Sequence, residues 1–188
     1  MKMKKAKIIM KFLLVVILSI VALKKFNIYE NNKELRENIY KCLQDKNNRI
    51  EAYYSGVALN NGKSENTCVY FISEVLRKNN YNVPKDMANT ESLINFLKKD
   101  GWKRKTDYKK LKPGNICFTT DGYGNKNGIP THTYIFMAWV KEGSYDYAYI
   151  CDNQAKDYEN KIYHIRNIKN VDKANGYSKD AFSFFMEK

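Results

Sequence analysis

An α+β fold is predicted for this 188-residue chain from three observations. Apolar residues recur at helical spacing in several segments between residues 32 and 99. From Leu111 onward they instead alternate or run continuously over short stretches bounded by Gly and Asn clusters, as strands do. Helices therefore come first and antiparallel strands afterwards, the order of an α+β domain. With 44% hydrophobic and 14% aromatic residues, the chain can bury one compact core and has too little for two.

Residues 1–25 stand apart from that domain. Lys2, Lys4, Lys5 and Lys7 precede an apolar run, Phe12 to Leu23, broken only by Ser19, and Lys24 and Lys25 follow it. A basic stretch before a short apolar run is the pattern of a secretory signal. The run is shorter than the about 18 apolar residues of a spanning helix, although Ile8 to Met10 lengthen it if Lys11 snorkels. Ser19, Val21 and Ala22 make only a poor cleavage site, so the segment is expected either to be removed on export or to stay as a single membrane anchor. No cysteine lies beside it to carry a lipid.

Residues 26–60 form an N-terminal helical segment in which Asn32 to Tyr54 is helical, with Leu35, Ile39 and Leu43 at i, i+4 spacing. Ser55 to Glu65, with Gly56 and Asn61-Gly62, is expected as a loop. Residues 61–188 are expected as the main domain. Its first helix runs from Thr67-Cys68 to about Asn79-Asn80 with Val69, Ile72, Val75 and Leu76 as the apolar stripe. Thr90 is expected to cap a further helix, Glu91 to Lys99, that Gly101 stops. Four strands follow: Ile116 to Thr119, Thr131 to Lys141, Tyr145 to Asn153 and Lys161 to Ile168. The Gly- and Asn-rich loop Asp121 to Pro130 leads into the second of them.

The net charge is +13, but seven lysines and no acid lie in residues 1–25; the other 26 basic residues against 20 acids leave +6 for residues 26–188. That balance suits an anionic surface such as a bacterial cell wall or lipid headgroups. No basic patch interleaved with stacking aromatics and no nucleic-acid motif is present, so nucleic acid is not an expected partner. The four cysteines are too widely spaced for a stapled framework, and Cys117 and Cys151, both on strand segments, either pair or are buried. No C-x-x-C or H-x-x-x-H spacing occurs, and no metal site is expected.

Chemistry is expected at three residues in order: Cys68, His132 and Asp152. Cys68 opens a helix, where unpaired backbone N–H groups and the dipole favour a thiolate. A buried structural cysteine is the competing reading. His132 begins a strand that is apolar on both faces, which sets it at a sheet end, whereas His164 lies in an ordinary half-exposed strand and is expected at the surface. A three-residue turn at Lys141-Glu142-Gly143 pairs Val140 with Ser144 and, carried down the ladder, His132 with Asp152. Directly paired side chains are about 5 Å apart at Cβ, close enough for a carboxylate–imidazole hydrogen bond. A register shifted by two brings Gln154 opposite His132 on the same face, and an odd slip brings Asn153. Asp152 is thus the first choice of orienting group, with Gln154 and Asn153 behind it. The set is the inventory of a thiol nucleophile, its base and an orienting acid.

Asn66-Thr67-Cys68-Val69-Tyr70-Phe71 resembles the nucleophile segment of CHAP amidase/peptidase domains. Leu111-Lys112-Pro113-Gly114-Asn115-Ile116-Cys117-Phe118 is similar to the "L-x-P-G-D-hydrophobic-x-F" strand of NlpC/P60 domains. Thr131-His132-Thr133-Tyr134-Ile135 resembles their shared histidine strand, and Ile150-Cys151-Asp152-Asn153-Gln154 the acid-then-amide strand of CHAP sites. The chain departs from these patterns at Thr67, Thr131 and Asn115, where Gln or Asp, Gly and Asp are usual.

The resemblance spans roughly residues 60–168. It implies a papain-like fold with helices on an antiparallel sheet, Cys68 as nucleophile, His132 as base and acid, and an exported cysteine hydrolase acting on amide bonds of peptidoglycan. The Cys68 backbone N–H is the expected oxyanion donor, with Asn66 as candidate for the second. No cofactor is implied. Two other expectations stay open: a degenerate envelope binding module of the same fold, and an acyltransferase or toxin with a different substrate.

Overall fold

The computed structural model describes residues 2–188, with side chains for residues 10, 13–24 and 32–188. Most of the lysines that define the expected signal or anchor therefore lie outside the described side chains. The chain divides between Glu34 and Leu35 into two units. In the first, the backbone is helical from Lys2, the start of α1 (Lys2–Gln44), and the large apolar side chains from Leu13 to Leu23 are exposed. Among the described residues, no helix is long and apolar enough to cross a membrane.

The second unit is α+β. The expected helix from Asn32 to Tyr54 is broken at Asp45, whose carboxylate accepts from the Asn48 N–H at 3.0 Å and so caps a new helix, α2 (Lys46–Leu59). That helix also runs through Gly56, a position the sequence reading sets in a loop. A Cβ at Gly56 would stand 3.2 Å from the Phe71 nitrogen, so glycine there lets α2 lie close to α3 (Cys68–Lys78). Ile39 and Leu43 of α1 are fully buried, as their spacing predicts.

Helix α3 buries Val69, Ile72, Val75 and Leu76, the expected stripe, together with Phe71 and Ser73. Helix α4 (Thr90–Lys99) is capped one residue earlier than expected: Asn89 accepts from the Ser92 N–H at 2.9 Å. The Thr90 hydroxyl instead donates to the Pro130 carbonyl at 2.7 Å, which ties α4 to the loop before His132.

Six strands form one sheet in the order β1-β8-β2-β3-β4-β5: β1 (Lys103–Lys105), β2 (Ile116–Thr119), β3 (Thr133–Lys141), β4 (Ser144–Cys151), β5 (Tyr163–Asn167) and β8 (Phe182–Glu187). Every neighbouring pair is antiparallel. A separate ribbon joins β6 (Asp172–Ala174) to β7 (Tyr177–Lys179). The strands β2, β3, β4 and β5 match sequence expectation within two residues at each end. Strands β1, β6, β7 and β8 are additions; β8 lies inside the sheet between β1 and β2, and its signal was the aromatic run Phe182-Ser183-Phe184-Phe185-Met186.

Both faces of the sheet are covered. Ile116, Phe118, Ile135, Met137 and Phe184 join the core under the helices. Cys117, Tyr134, Phe136, Ile150 and Phe185 form a second core on the opposite face with Leu111 and Ile168. This alternation is the period-2 rule acting on strands buried on both sides. At the joint between helices and sheet, Gly114 adopts φ +91°, and a side chain there would run into the Arg36 carbonyl. The Arg36 guanidinium donates to the neighbouring Pro113 carbonyl at 2.8 Å.

Candidate active site

The β3–β4 turn is tighter than the sequence predicts. Lys141 pairs with Ser144 across Glu142-Gly143, and two irregularities follow, so that Phe136 pairs with Ile150 and Ile135 with Cys151. Continued, this register sets His132 opposite Gln154 and not opposite Asp152. The shift is by two residues, so the face is kept, and Asp152 reaches His132 along the diagonal. His132 Nε2 lies 2.8 Å from Asp152 Oδ2. The partner is the expected one by a different register.

Asp152 is fully buried. Its Oδ1 accepts from the Gln154 N–H at 2.8 Å, a turn that folds the chain back after β4. His164 Nε2 stands 3.8 Å from Oδ1 and Arg166 Nη1 3.9 Å from Oδ2. Burial acts to raise the Asp152 pKa, but His164, His132 and Arg166 outweigh it and hold the carboxyl well below the usual range.

The surface position expected for His164 is thus overturned. It is 5% exposed, pairs with Ile150, stacks on Tyr158 at 3.6 Å between centroids, and donates through Nδ1 to the Lys161 carbonyl. The strand β5 alternates buried and exposed residues, and the face carrying His164 and Arg166 turns toward the second core. One strand read alone does not show which of its faces a neighbour covers.

Burial lowers the His132 pKa, with Arg166 and Lys179 adding to it and Asp152 opposing it. At neutral pH the ring is therefore neutral beside a charged carboxylate. A carboxylate can only accept, so Nε2 carries the hydrogen and Nδ1 keeps a lone pair. Among the described residues Nδ1 has no hydrogen-bond partner. It is the nitrogen available to act as a base.

Cys68 is the first residue of α3, at the edge of the helix-side core. Burial raises its thiol pKa to about 11, against the backbone N–H groups of Thr133 and Val69. Helix α3 packs on β3, the strand that begins one residue after His132. Sγ and the His132 ring share no hydrogen bond. The depressed thiol expected from the helix dipole is overturned: burial exceeds the first-turn dipole.

The approach to Cys68 is braced by Asn153. Its Nδ2 donates to Thr67 Oγ1 at 3.0 Å and to the Ser64 carbonyl at 3.3 Å, and Thr67 Oγ1 itself donates to Ser64 O at 2.8 Å. Thr67 stands at the N-cap position, but its side chain makes no cap bond. The first turn of α3 therefore lacks a side-chain acceptor for its N–H groups. Asn66 is exposed with φ +58°, and its amide bonds to nothing among the described residues. Its left-handed backbone accounts for asparagine there. Gln154 accepts from Arg166 through Oε1 at 3.3 Å.

Sequence reasoning missed two members of the cluster, His164 and Arg166, although both stand on the buried alternation of β5. All four cysteines are unpaired, and Cys117 and Cys151 are buried. Among the described residues no group of three or more His, Cys, Asp or Glu is arranged to hold a metal ion. In comparisons with known proteins, no family model, no curated protein and no solved structure matched this chain.

Proposed function

We propose that this protein is an exported cysteine hydrolase of papain-like NlpC/P60-CHAP type that cleaves an amide bond in peptidoglycan. The observation that carries the reading is the buried His132–Asp152 pair, 2.8 Å apart, at the mouth of β3, the strand on which the helix opened by Cys68 packs. A neutral imidazole with a lone pair on Nδ1 is the form a general base needs.

In the proposed reaction the Cys68 thiol gives its proton to His132 as Sγ bonds to the carbonyl carbon. The first-turn N–H groups of α3 receive the oxyanion. The carbon–nitrogen bond then breaks, and His132 returns the proton to the leaving amine. Water, deprotonated by His132, attacks the thioester, releases the acid and restores the thiol. Asp152 keeps the ring oriented and stabilises the imidazolium formed in each half. The apolar run beside the N-terminal lysines supports export, with the segment removed or kept as an anchor, and the excess of basic residues supports an anionic wall as the working surface.

A second reading, a degenerate binding module, is favoured by the missing Cys68–His132 hydrogen bond and by the raised thiol. A transferase or toxin acting on another acyl substrate is the third. The full-length chain, wild type beside Cys68→Ala, is incubated with purified peptidoglycan and the soluble fragments are weighed by mass spectrometry. Fragments from wild type alone are expected, and their masses name the bond. Equal release from both, or none from either, overturns the hydrolase.

A further inference from the structure

Arg166 is 3% exposed, and its guanidinium reaches three elements at once. Nη1 stands 3.9 Å from Asp152 Oδ2 and donates to Gln154 Oε1 at 3.3 Å. Nη2 donates to the Asp180 carbonyl at 2.8 Å. The plane lies 5.6 Å from the Tyr134 ring, on which His132 also stacks. Asp180 in turn accepts from Thr131 Oγ1 at 2.5 Å through its carboxylate. Thr131 Oγ1 is 3.0 Å from Thr119 Oγ1, which accepts from the His132 N–H at 3.0 Å. One buried cation thus touches the acid, the turn after the acid, and the loop that holds the backbone of the histidine.

We propose that Arg166 is a positioning residue for the reaction at Cys68: it holds Asp152 anionic and aimed at His132, and so decides which nitrogen of His132 carries the hydrogen. The inference rests on the hydrolase reading for its consequence, but its chemistry stands on these contacts. A charged Asp152 accepts from Nε2 and leaves the lone pair on Nδ1. A neutral Asp152 would donate its own proton to Nε2 and move the ring hydrogen to Nδ1, where no base remains for the thiol. Arginine suits the task because it stays charged when buried and its planar fork serves several acceptors in one geometry. His164 cannot replace it. Its Nδ1 hydrogen is committed to the Lys161 carbonyl, so neutral His164 has no hydrogen for Asp152, and its pull on the carboxyl comes only once it is itself protonated at acid pH.

The test compares Arg166→Lys with Arg166→Met in the full-length chain labelled with 15N-histidine. Lysine keeps the charge, whereas methionine keeps length without it. Wild type and R166K are expected to show the Nε2–H form of His132. R166M is expected to show the Nδ1–H form or a mixture and to release peptidoglycan fragments about 10–100-fold more slowly, the usual scale for loss of a supporting contact.

A folded R166M with the Nε2–H signature, or an R166K no closer to wild type than R166M, overturns the proposal. If R166M does not fold, R166K alone decides, since its loss of the Nε2–H form overturns the proposal and its retention supports it. If neither folds, arginine 15N spectra of the wild type decide: a hindered guanidinium is expected, and a freely rotating one overturns the inference. A wild type that releases no fragments sinks the hydrolase reading, while the tautomer comparison still judges Arg166.

Discussion

His132 Nε2 and Asp152 Oδ2 meet at 2.8 Å although the β3–β4 register, carried past its last pair Ile135–Cys151, sets Gln154 and not Asp152 opposite the histidine. The turn after β4, closed by the Gln154 N–H on Asp152 Oδ1, brings the carboxylate back along the diagonal. The pair depends on that turn and on the buried cation behind it as much as on the ladder.

Asp152→Asn is expected to slow fragment release by roughly 10²–10⁴, the scale of general acid–base catalysis. It also leaves Arg166 without its anion, at a cost of roughly 3–5 kcal/mol, as for breaking a buried ion pair. Urea unfolding beside the rate assay separates the two effects. A wild-type rate in the Asp152→Asn variant would remove Asp152 from the mechanism.

Alkylation of Cys68 by iodoacetamide in the absence of substrate should be slow at pH 7 and should climb with pH toward the thiol's raised value of about 11. Mass spectrometry of the Cys68 peptide reads the rate and keeps Cys42 apart. A plateau already reached by pH 7 would mean that the resting site holds a thiolate–imidazolium pair.

Stability should fall as the solution is acidified. His132 and His164 both have lowered pKa values, so between those values and the unfolded value of about 6.5 the unfolded chain binds more protons, and folding weakens as pH drops through that window. Asp152, held below its ordinary range, adds a further loss once pH falls below about 4. Urea midpoints at pH 8, 6 and 5 check the histidine window, and His164→Gln should flatten it. A midpoint unchanged from pH 8 to 5 contradicts the burial of two neutral rings.

Thr67→Val removes the hydroxyl between Ser64 and Asn153 while keeping the shape. Asn153 Nδ2 then loses its shorter acceptor inside the protein, at a cost of about 1–3 kcal/mol. Since this loop leads directly into Cys68, fragment release should fall with it. Thermal melting and the rate assay on one sample show whether activity falls further than stability alone explains.

Much of the site could be read from local signals. A cysteine after Asn66-Thr67 and before an apolar stripe gives a helix start, and α3 begins at Cys68. A histidine after a Gly-rich loop and before a doubly apolar run gives a strand mouth, and β3 begins one residue after His132. Alternation carries the face of a residue through an even register error, and this is why Asp152 is the partner of His132 even though the turn is shorter than its residues suggest.

The sequence by itself therefore determined α3, α4, the strands β2 to β5 and the parity of their faces, because these follow from period and from capping within a few residues. Only the tertiary structure decided what those faces meet. It set β8 between β1 and β2, turned His164 and Arg166 inward behind Asp152, and let α2 pass close to α3 at Gly56. It also reversed the expectation for the Cys68 thiol, since the dipole of a helix start is a local property whereas desolvation depends on everything packed around the sulfur.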